Sequence, residues 1–522
     1  MSQNLSRALS FRKEPLRSRH GIVAAQNQKA ADIGAGVLRA GGNAVDAAVA
    51  TAFAIGALEP WMSGIGGGGY MVVWDARRRR AQVVDYGMIS AAGLNVADYP
   101  LAQGTAGDLF GWPAVVEDRN IVGYHAMAVP GQPDGMRLAL ETFGTRSWSQ
   151  SLGPAIEAAQ DGIDVDWYLS VIVASAARDL IRFPASKAMF LPDGLPPSAD
   201  FAGPQPKLRN DALVATLKAL SQGGGRDYYE GGVAAALVRD LAAGGSAINA
   251  DDLRRYQARL VEPLQYTYGD ATLLLPPGLT AGPTLRDALE KARPKLPAKL
   301  DAASFVAYAE SITAAYETRL ATMGDSENAA GDGRAGCTTH FCVIDRDGNM
   351  VALTQTLLSL FGSRVILPET GVPMNNGVMW FDPRPGRPNS IGAGKRPLSN
   401  MLPALALRNG EPWLSIGASG GRRIMPAVMQ ILSFLIDYGM PLEQAFHQPR
   451  IDASLPDQPQ FDPHLDGTVQ TALKARFPQA TAVPRMPFPL PYACPSAVMI
   501  EPDGQRVGMT EIAQPWAGMA AG

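Results

Sequence analysis

The chain has 522 residues and a net charge of −3, with a sequence pI near 6.0. That balance offers no general basis for holding nucleic acid or an anionic membrane surface, so the expected partner is a small molecule. The length gives a prior of about three domains, although large layered α/β enzymes often hold as much in one body. Three cysteines, Cys337, Cys342 and Cys494, are an odd count that argues against a disulfide framework and for a reducing compartment.

Met1 to His20 is basic but lacks the apolar core of a signal peptide. The apolar run Ala47 to Leu58 is far shorter than the ~18 to 20 residues that span a bilayer. A cytoplasmic protein without membrane contact is expected. Ala30 to Ala40 has helical apolar spacing and stops at Gly41-Gly42. Asn43 then caps a second helix, Ala44 to Leu58, so rich in Ala and Val that it must be buried on most sides.

Ser63 to Gly69 is a glycine run leading into a strand, Met71 to Asp75. It lacks the following helix and Lys-Ser/Thr of a phosphate loop, and reads instead as backbone packed closely on a neighbouring layer. Arg77 to Arg80 reads as a solvated hairpin turn. From Gly131 to Leu260 the pattern is largely helical (Leu152 to Gly162, Leu169 to Arg182, Asp211 to Gln222, Gly232 to Ala243), with proline-rich loops near Pro184 to Pro206. Tyr266 to Leu275 reads as a strand and Ala303 to Ala321 as a helix. Beyond it the pattern turns to strands at Thr338 to Asp345, Met350 to Thr356, Ala404 to Leu407 and Trp413 to Gly417. Helices follow near Met425 to Tyr438 and Leu442 to His447. No repeat or composition shift marks a border, so one domain over 1-522 is expected, built of stacked sheets flanked by helices.

Asp347-Gly348 between two strand-like runs is a strong hairpin signal. A two-residue turn there puts Thr338 opposite Leu357, beside Thr356, and a one-residue bulge puts it opposite Thr356 itself. Either register sets a second hydroxyl beside Thr338. An N-terminal nucleophile needs such support, because a hydroxyl attacks only when a base, here a free α-amine, activates it. Gly417-Ala418-Ser419-Gly420-Gly421 lies between a strand and a helix starting near Arg423, where unobstructed N–H groups can hold an oxyanion. An ordinary Thr-rich hairpin and a tight turn without chemistry would look the same on these residues alone. The five histidines, His20, His125, His340, His447 and His464, show no ligand spacing. No metal and no cofactor is expected.

Ordered blocks along nearly the whole chain resemble the γ-glutamyltransferase family of N-terminal nucleophile hydrolases. They include Gly41 to Ala50, Glu59-Pro60, Ser63 to Gly69, Ala128 to Gly131, Pro154 to Ile156, Thr338 to Phe341, Phe361-Gly362-Ser363, Asn375-Asn376, Gly394 to Ser399 and Gly420-Gly421. The resemblance implies an α+β fold, a four-layer αββα sandwich, in a precursor that cuts itself between Cys337 and Thr338. A large chain, 1-337, and a small one, 338-522, would stay together as a heterodimer, with higher oligomers left open. It further implies that Thr338 is the nucleophile, that Thr356 supports its amine, and that Gly420 and Gly421 supply oxyanion N–H groups. Ser399 and Asn400 match the pair that contacts the substrate carboxylate. The acyl-enzyme would pass to water or an amine acceptor.

Three departures argue against ordinary γ-glutamyl substrates. The family's arginine after an Asp-Phe pair is missing, Asp85-Tyr86 being followed by Gly87-Met88. The polar residues near the α-amino group are replaced by Leu358, Gly377 and Trp380. Arg422 is an extra cation beside the oxyanion turn, expected either to hold a carboxylate nearer the scissile bond or to be a solvated helix-start arginine. An oxamate- or glutaryl-type amidohydrolase is the alternative to a γ-glutamyl enzyme, and an inactive binding homologue is the alternative of another class.

Overall fold

A computed structural model of the chain describes residues 11–106, 112–199, 202–325, 338–455 and 457–522. Two seven-stranded antiparallel sheets stack face to face. Fourteen strands make them: β1 (Leu16–Ser18), β2 (Gly21–Ala25), β3 (Gly68–Asp75), β4 (Arg80–Tyr86), β5 (Arg259–Val261), β6 (Leu264–Tyr268), β7 (Ala271–Leu275), β8 (Thr339–Asp345), β9 (Met350–Thr356), β10 (Ala404–Arg408), β11 (Glu411–Ser419), β12 (Cys494–Ile500), β13 (Arg506–Thr510) and β14 (Gly518–Ala521). The first sheet runs β14-β2-β8-β9-β3-β4-β5, the second β1-β13-β12-β11-β10-β7-β6.

Alternation along the strands sorts the side chains into three cores. Phe341 and Val343 of β8 face the helices α1 (Gln28–Arg39) and α2 (Ala44–Leu58). Cys342 and Ile344 point the other way and meet Leu274, Leu405 and Val498 of the second sheet. That sheet's outer face, with Leu414 and Ile416, is covered by α4 (Gly282–Ala292), α5 (Ala302–Thr322) and α6 (Ile424–Ile436). The layers are helix, sheet, sheet, helix. A further helix, α3 (Trp167–Leu180), packs at one end through Tyr168, Leu169 and Ile172 on Trp61 and Phe361.

Local sequence explains the helices that matter here. Asn43 accepts from Val45 N–H and Asp46 N–H, while Asp46 returns a bond to Asn43 N–H, closing a capping box on α2. All fifteen α2 residues are buried; all but two are apolar or glycine, and the two polar ones are hydrogen-bonded, Asp46 at the cap and Thr51 Oγ1 donating to Ala47 O. Its small residues allow that depth: a Cβ on Gly56 would fall 2.9 Å from Gly64 Cα.

Several expectations from sequence change. Tyr266 to Leu275 is a hairpin rather than one strand, turning at Gly269 with φ +63°. The proline-rich stretch from Pro184 contains a helix, Pro184–Phe190, because a proline at the first helical position costs no N–H. β11 runs two residues past Gly417, to Ser419. Arg78 pairs with Asp75, Arg79 with Glu411 and Arg80 with Glu262, all at the surface, as a solvated turn would. No described helix is long and apolar enough to cross a membrane.

Candidate active site

The β8–β9 hairpin closes by a three-residue connection. Asp345 N–H donates to Asn349 O at 3.1 Å, and the Asp345 carboxylate accepts from the N–H groups of Asp347 and Asn349. Gly348 takes φ +83°. The two-residue turn is therefore replaced, and the register shifts by one: Thr339 faces Gln355 and His340 faces Thr354. Continued by one residue, it sets Thr338 opposite Thr356. Thr338 is 3% exposed. Cys337, on the other side of the expected cut, lies outside the described residues.

Thr356 is held by its neighbours. Its Oγ1 accepts from Leu358 N–H at 2.7 Å, and it pairs with Gly68 of β3. A Cβ on Gly67 would lie 2.2 Å from Thr356 O, and one on Gly69 2.3 Å from Thr354 O. The glycine run is thus the surface on which the Thr356 strand rests. The chain after Thr356 is pinned by Leu357 N–H to Met62 O, Phe361 N–H to Trp61 O, and Ser359 N–H to Asn376 Oδ1. Asn375 bonds Gly66 O and Ala128 O through Nδ2, and accepts from Ala128 N–H and Gly377 N–H. These two asparagines are scaffold for the site, a role that sequence patterning alone did not assign.

The second sheet brings the Gly417 to Gly421 turn to the same end. Ser415 Oγ of β11 donates to Val351 O, level with Val343, and a Cβ on Gly417 would strike the His340 ring at 2.3 Å. The same progression carries Ser419 and Gly420 to the level of Thr338. Ser419 Oγ donates to Gln26 Oε1 at 2.7 Å, across from the first sheet. Gly420 has φ +131° and Gly421 φ +63°, followed by one 3₁₀ turn, Gly421–Arg423, and then α6. A Cβ on Gly420 would be 2.8 Å from Ala493 Cα, so both conformation and space require glycine there.

His340 is fully buried between the sheets. Nδ1 shares a hydrogen bond with Thr354 Oγ1 at 2.8 Å and Nε2 with Cys342 Sγ at 3.2 Å. Burial lowers its pKa to about 3. It is a neutral structural ring on the same face as Thr338.

Arg422 is not solvated. It is 2% exposed, its guanidinium stacks on Tyr316 at 4.6 Å, and Nη2 donates to Ser454 O. With Asn400, Arg319, Trp112 and Trp380 it lines a narrow cavity of about 10 Å³. Ser399 does not line it: its Oγ accepts from Met401 N–H, and its carbonyl accepts from Arg319 Nη2. Arg319 also donates to Thr280 O and Thr284 Oγ1. Burial, with the neighbouring Arg422 guanidinium adding, brings its pKa down to about 10. Arg319 was missed, though it falls on the buried stripe Tyr308, Ile312, Tyr316 of α5, where an arginine is out of place.

The corner at Asp85 to Gly87, where the resemblance led us to expect an arginine, holds two cations from elsewhere in the chain. Arg396 Nη1 reaches Asp85 Oδ1 at 3.1 Å and Gly87 O at 3.2 Å, and Arg259 takes the other carboxylate oxygen. Leu358, Gly377 and Trp380 are all buried and offer no side-chain acceptor for an ammonium.

Comparison with known proteins places the chain in a family. The family model for gamma-glutamyltranspeptidase matches residues 30–332 and 327–488. The acylase ACY 1 proenzyme of Pseudomonas sp. (strain SE83) is 34% identical over 95% of this chain and 92% of that protein. The glutathione hydrolase proenzyme of Bacillus subtilis (strain 168) is 31% identical over 83% and 80%. In fold, the chain matches the crystal structure of cephalosporin acylase from Bacillus halodurans at a TM-score of 0.86, with 22% identity over 100% of this chain and 99% of that one. The chain belongs to the γ-glutamyltranspeptidase family, with that family's N-terminal nucleophile hydrolase fold, and is an amidohydrolase or acyltransferase of that kind.

Proposed function

We propose that the chain cuts itself between Cys337 and Thr338 and then hydrolyses, or transfers, the acyl group of a small amide whose acyl part carries a carboxylate but no free amino-acid head. Thr338 Oγ attacks the amide carbonyl, and the new α-amine takes the hydroxyl proton and delivers it to the leaving amine. Gly420 and Gly421 N–H groups receive the oxyanion of the tetrahedral intermediate. Thr356 Oγ1, facing Thr338, orients the amine. Water, or an amine acceptor, then releases the acyl group from Thr338. The two products, 1–337 and 338–522, stay together because β8 and β9 of the small chain pair with β2 and β3 of the large one. A cytoplasmic setting, in which the buried thiols of Cys342 and Cys494 stay reduced, belongs to the same proposal.

The observation that carries the reading is the shared end of the two sheets: the Thr338–Thr356 register on one, the Ser419–Gly420 turn above it on the other. For substrate choice, the support is that Leu358, Gly377 and Trp380 stand where polar groups were expected, and that Trp380 lines one cavity with the buried cations Arg422 and Arg319. An oxamate- or glutaryl-type acyl group answers to cations without asking for an ammonium partner. Relatives called acylase and glutathione hydrolase bracket the choice. Kinetics on paired anilides tests it: glutaryl anilide, γ-glutamyl anilide and an uncharged butyryl anilide. The glutaryl compound is expected to exceed the other two in kcat/KM by at least about tenfold. A preference for γ-glutamyl anilide would overturn the substrate assignment and leave the chemistry standing. No turnover of any amide, oxamate included, would favour a binding homologue.

A further inference from the structure

A second cavity, of about 290 Å³, opens where the C-terminal end of α2 meets the start of α3. Glu59, the residue that ends α2, lines it and is 2% exposed. Its Oε1 accepts from Asn27 Nδ2 at 3.2 Å, and its Oε2 has no hydrogen-bond partner among the described residues. A buried carboxyl oxygen left without a partner is costly, and an ionised one more so. Burial pushes the Glu59 pKa up to about 8, with the Asp166 carboxylate adding to the shift. Opposite stand rings: Tyr168 stacks on Trp516 at 4.0 Å, and Trp61, whose Nε1–H also lacks a partner among the described residues, closes the inner wall.

The charges around this cavity select its ligand. Lys29, at the mouth, pairs with Asp164, so it does not neutralise Glu59 or Asp166. Two helix N-termini reach the cavity, which by themselves would favour an anion, but both carry side-chain caps. Asn27 Oδ1 caps Ala30 N–H, Gln28 N–H donates to Trp516 O, and Asp166 Oδ1 caps Leu169 N–H. Asp166 Oδ2 accepts from Trp516 Nε1–H, so beside the single Trp61 N–H what remains is the Glu59 carboxylate oxygen and aromatic surface, the combination that holds organic cations.

We propose that this cavity is a binding site for an organic cation, an ammonium carried on a small apolar body, with Glu59 as its counter-ion and Tyr168, Trp516 and Trp61 as its walls. The site stands apart from the Arg422 cavity and does not depend on the substrate assigned there. It is nevertheless coupled to the catalytic end: Trp61 O and Met62 O accept from Phe361 and Leu357, the chain that leaves Thr356.

The test is a tryptophan-fluorescence and calorimetric titration of the full chain with choline and with its uncharged isostere 3,3-dimethylbutan-1-ol. Choline is expected to bind saturably and at least about tenfold more tightly than the alcohol. Affinity should rise between about pH 7 and pH 9, because Glu59 must lose its proton to pair. The other groups facing Glu59 are Lys29, Asp164, Asp166, Tyr168 and Cys494, the last held protonated by burial. Glu59→Gln keeps an acceptor for Asn27 and should cost choline at least about tenfold in affinity without unfolding the protein. If that variant does not fold, Trp516→Leu, at the rim, must weaken choline instead. Equal binding of choline and the alcohol, no saturable choline binding, or undiminished binding by a folded Glu59→Gln would overturn the proposal.

Discussion

Around Thr338 the close contacts are made by glycine backbone, whereas around Arg422 they are made by long side chains. At the first place Gly67 rests on Thr356 O, Gly417 on the His340 ring and Gly420 on Ala493, each with no room for a Cβ. At the second, Arg422 lies on Tyr316, Arg319 reaches Thr280 O, Thr284 Oγ1 and Ser399 O, and Trp112 and Trp380 line the cavity beside them. An approach with no room for a Cβ fixes two neighbouring segments at once, so a substitution there moves Thr338. A side-chain contact can be exchanged while the strands stay in place. That difference lets the side chains around Arg422 be exchanged while the glycine approaches around Thr338 stay in place.

The comparison can be broken at four points. Gly420→Ala forces a side chain into φ +131° and onto Ala493 Cα. It is expected to cost ~10² to 10³ in kcat with little change in KM. A small loss would mean that Gly420 N–H does not meet the oxyanion. Thr356→Val removes the acceptor of Leu358 N–H and the hydroxyl facing Thr338, and kcat should fall by ~10². Thr356→Ser should recover most of that loss, and if valine and serine behave alike the hydroxyl has no part in the chemistry.

On the other side of the comparison, Arg422→Met keeps much of the packing on Tyr316. It should lower kcat/KM about tenfold for glutaryl anilide and leave butyryl anilide nearly unchanged. Equal losses on both would make Arg422 a structural residue. The smallest effect concerns His340, whose pKa is lowered to about 3 against about 6.5 in an unfolded chain. The unfolded state then binds the extra proton, so stability is lost as pH falls from about 6.5 toward 3. Urea unfolding of His340→Gln across that range should show a slope shallower by one proton. The acid limb of kcat should be unmoved, and a shift in it would assign His340 a catalytic proton.

Much of this was legible in the sequence because it rests on residues with few alternatives. Asn43 as a cap, Gly41 after a helix, and glycines opening onto a strand each have one comfortable conformation. The Thr338–Thr356 pairing was legible only to within one residue, since Asp347-Gly348 fits both a two-residue turn and the three-residue connection that Asp345 organises with its carboxylate. Arg422 beside a glycine pair could be exposed or buried. What decides it is Tyr316, a hundred residues away in sequence and brought near by the packing of α5 on the second sheet. Asn375 and Asn376 were recognisable as a block but not as pins, because their partners Gly66, Ala128, Ile121 and Ser359 come from other parts of the chain.

The central claim is that a chain start is made at Thr338, and intact mass spectrometry with N-terminal sequencing of the purified protein tests it most directly. The account predicts two fragments, one ending at Cys337 and one beginning with Thr338, co-eluting under native conditions, and a single uncut chain for Thr338→Ala. A wild-type chain that stays whole after long incubation, or a cut at any other bond, would contradict it.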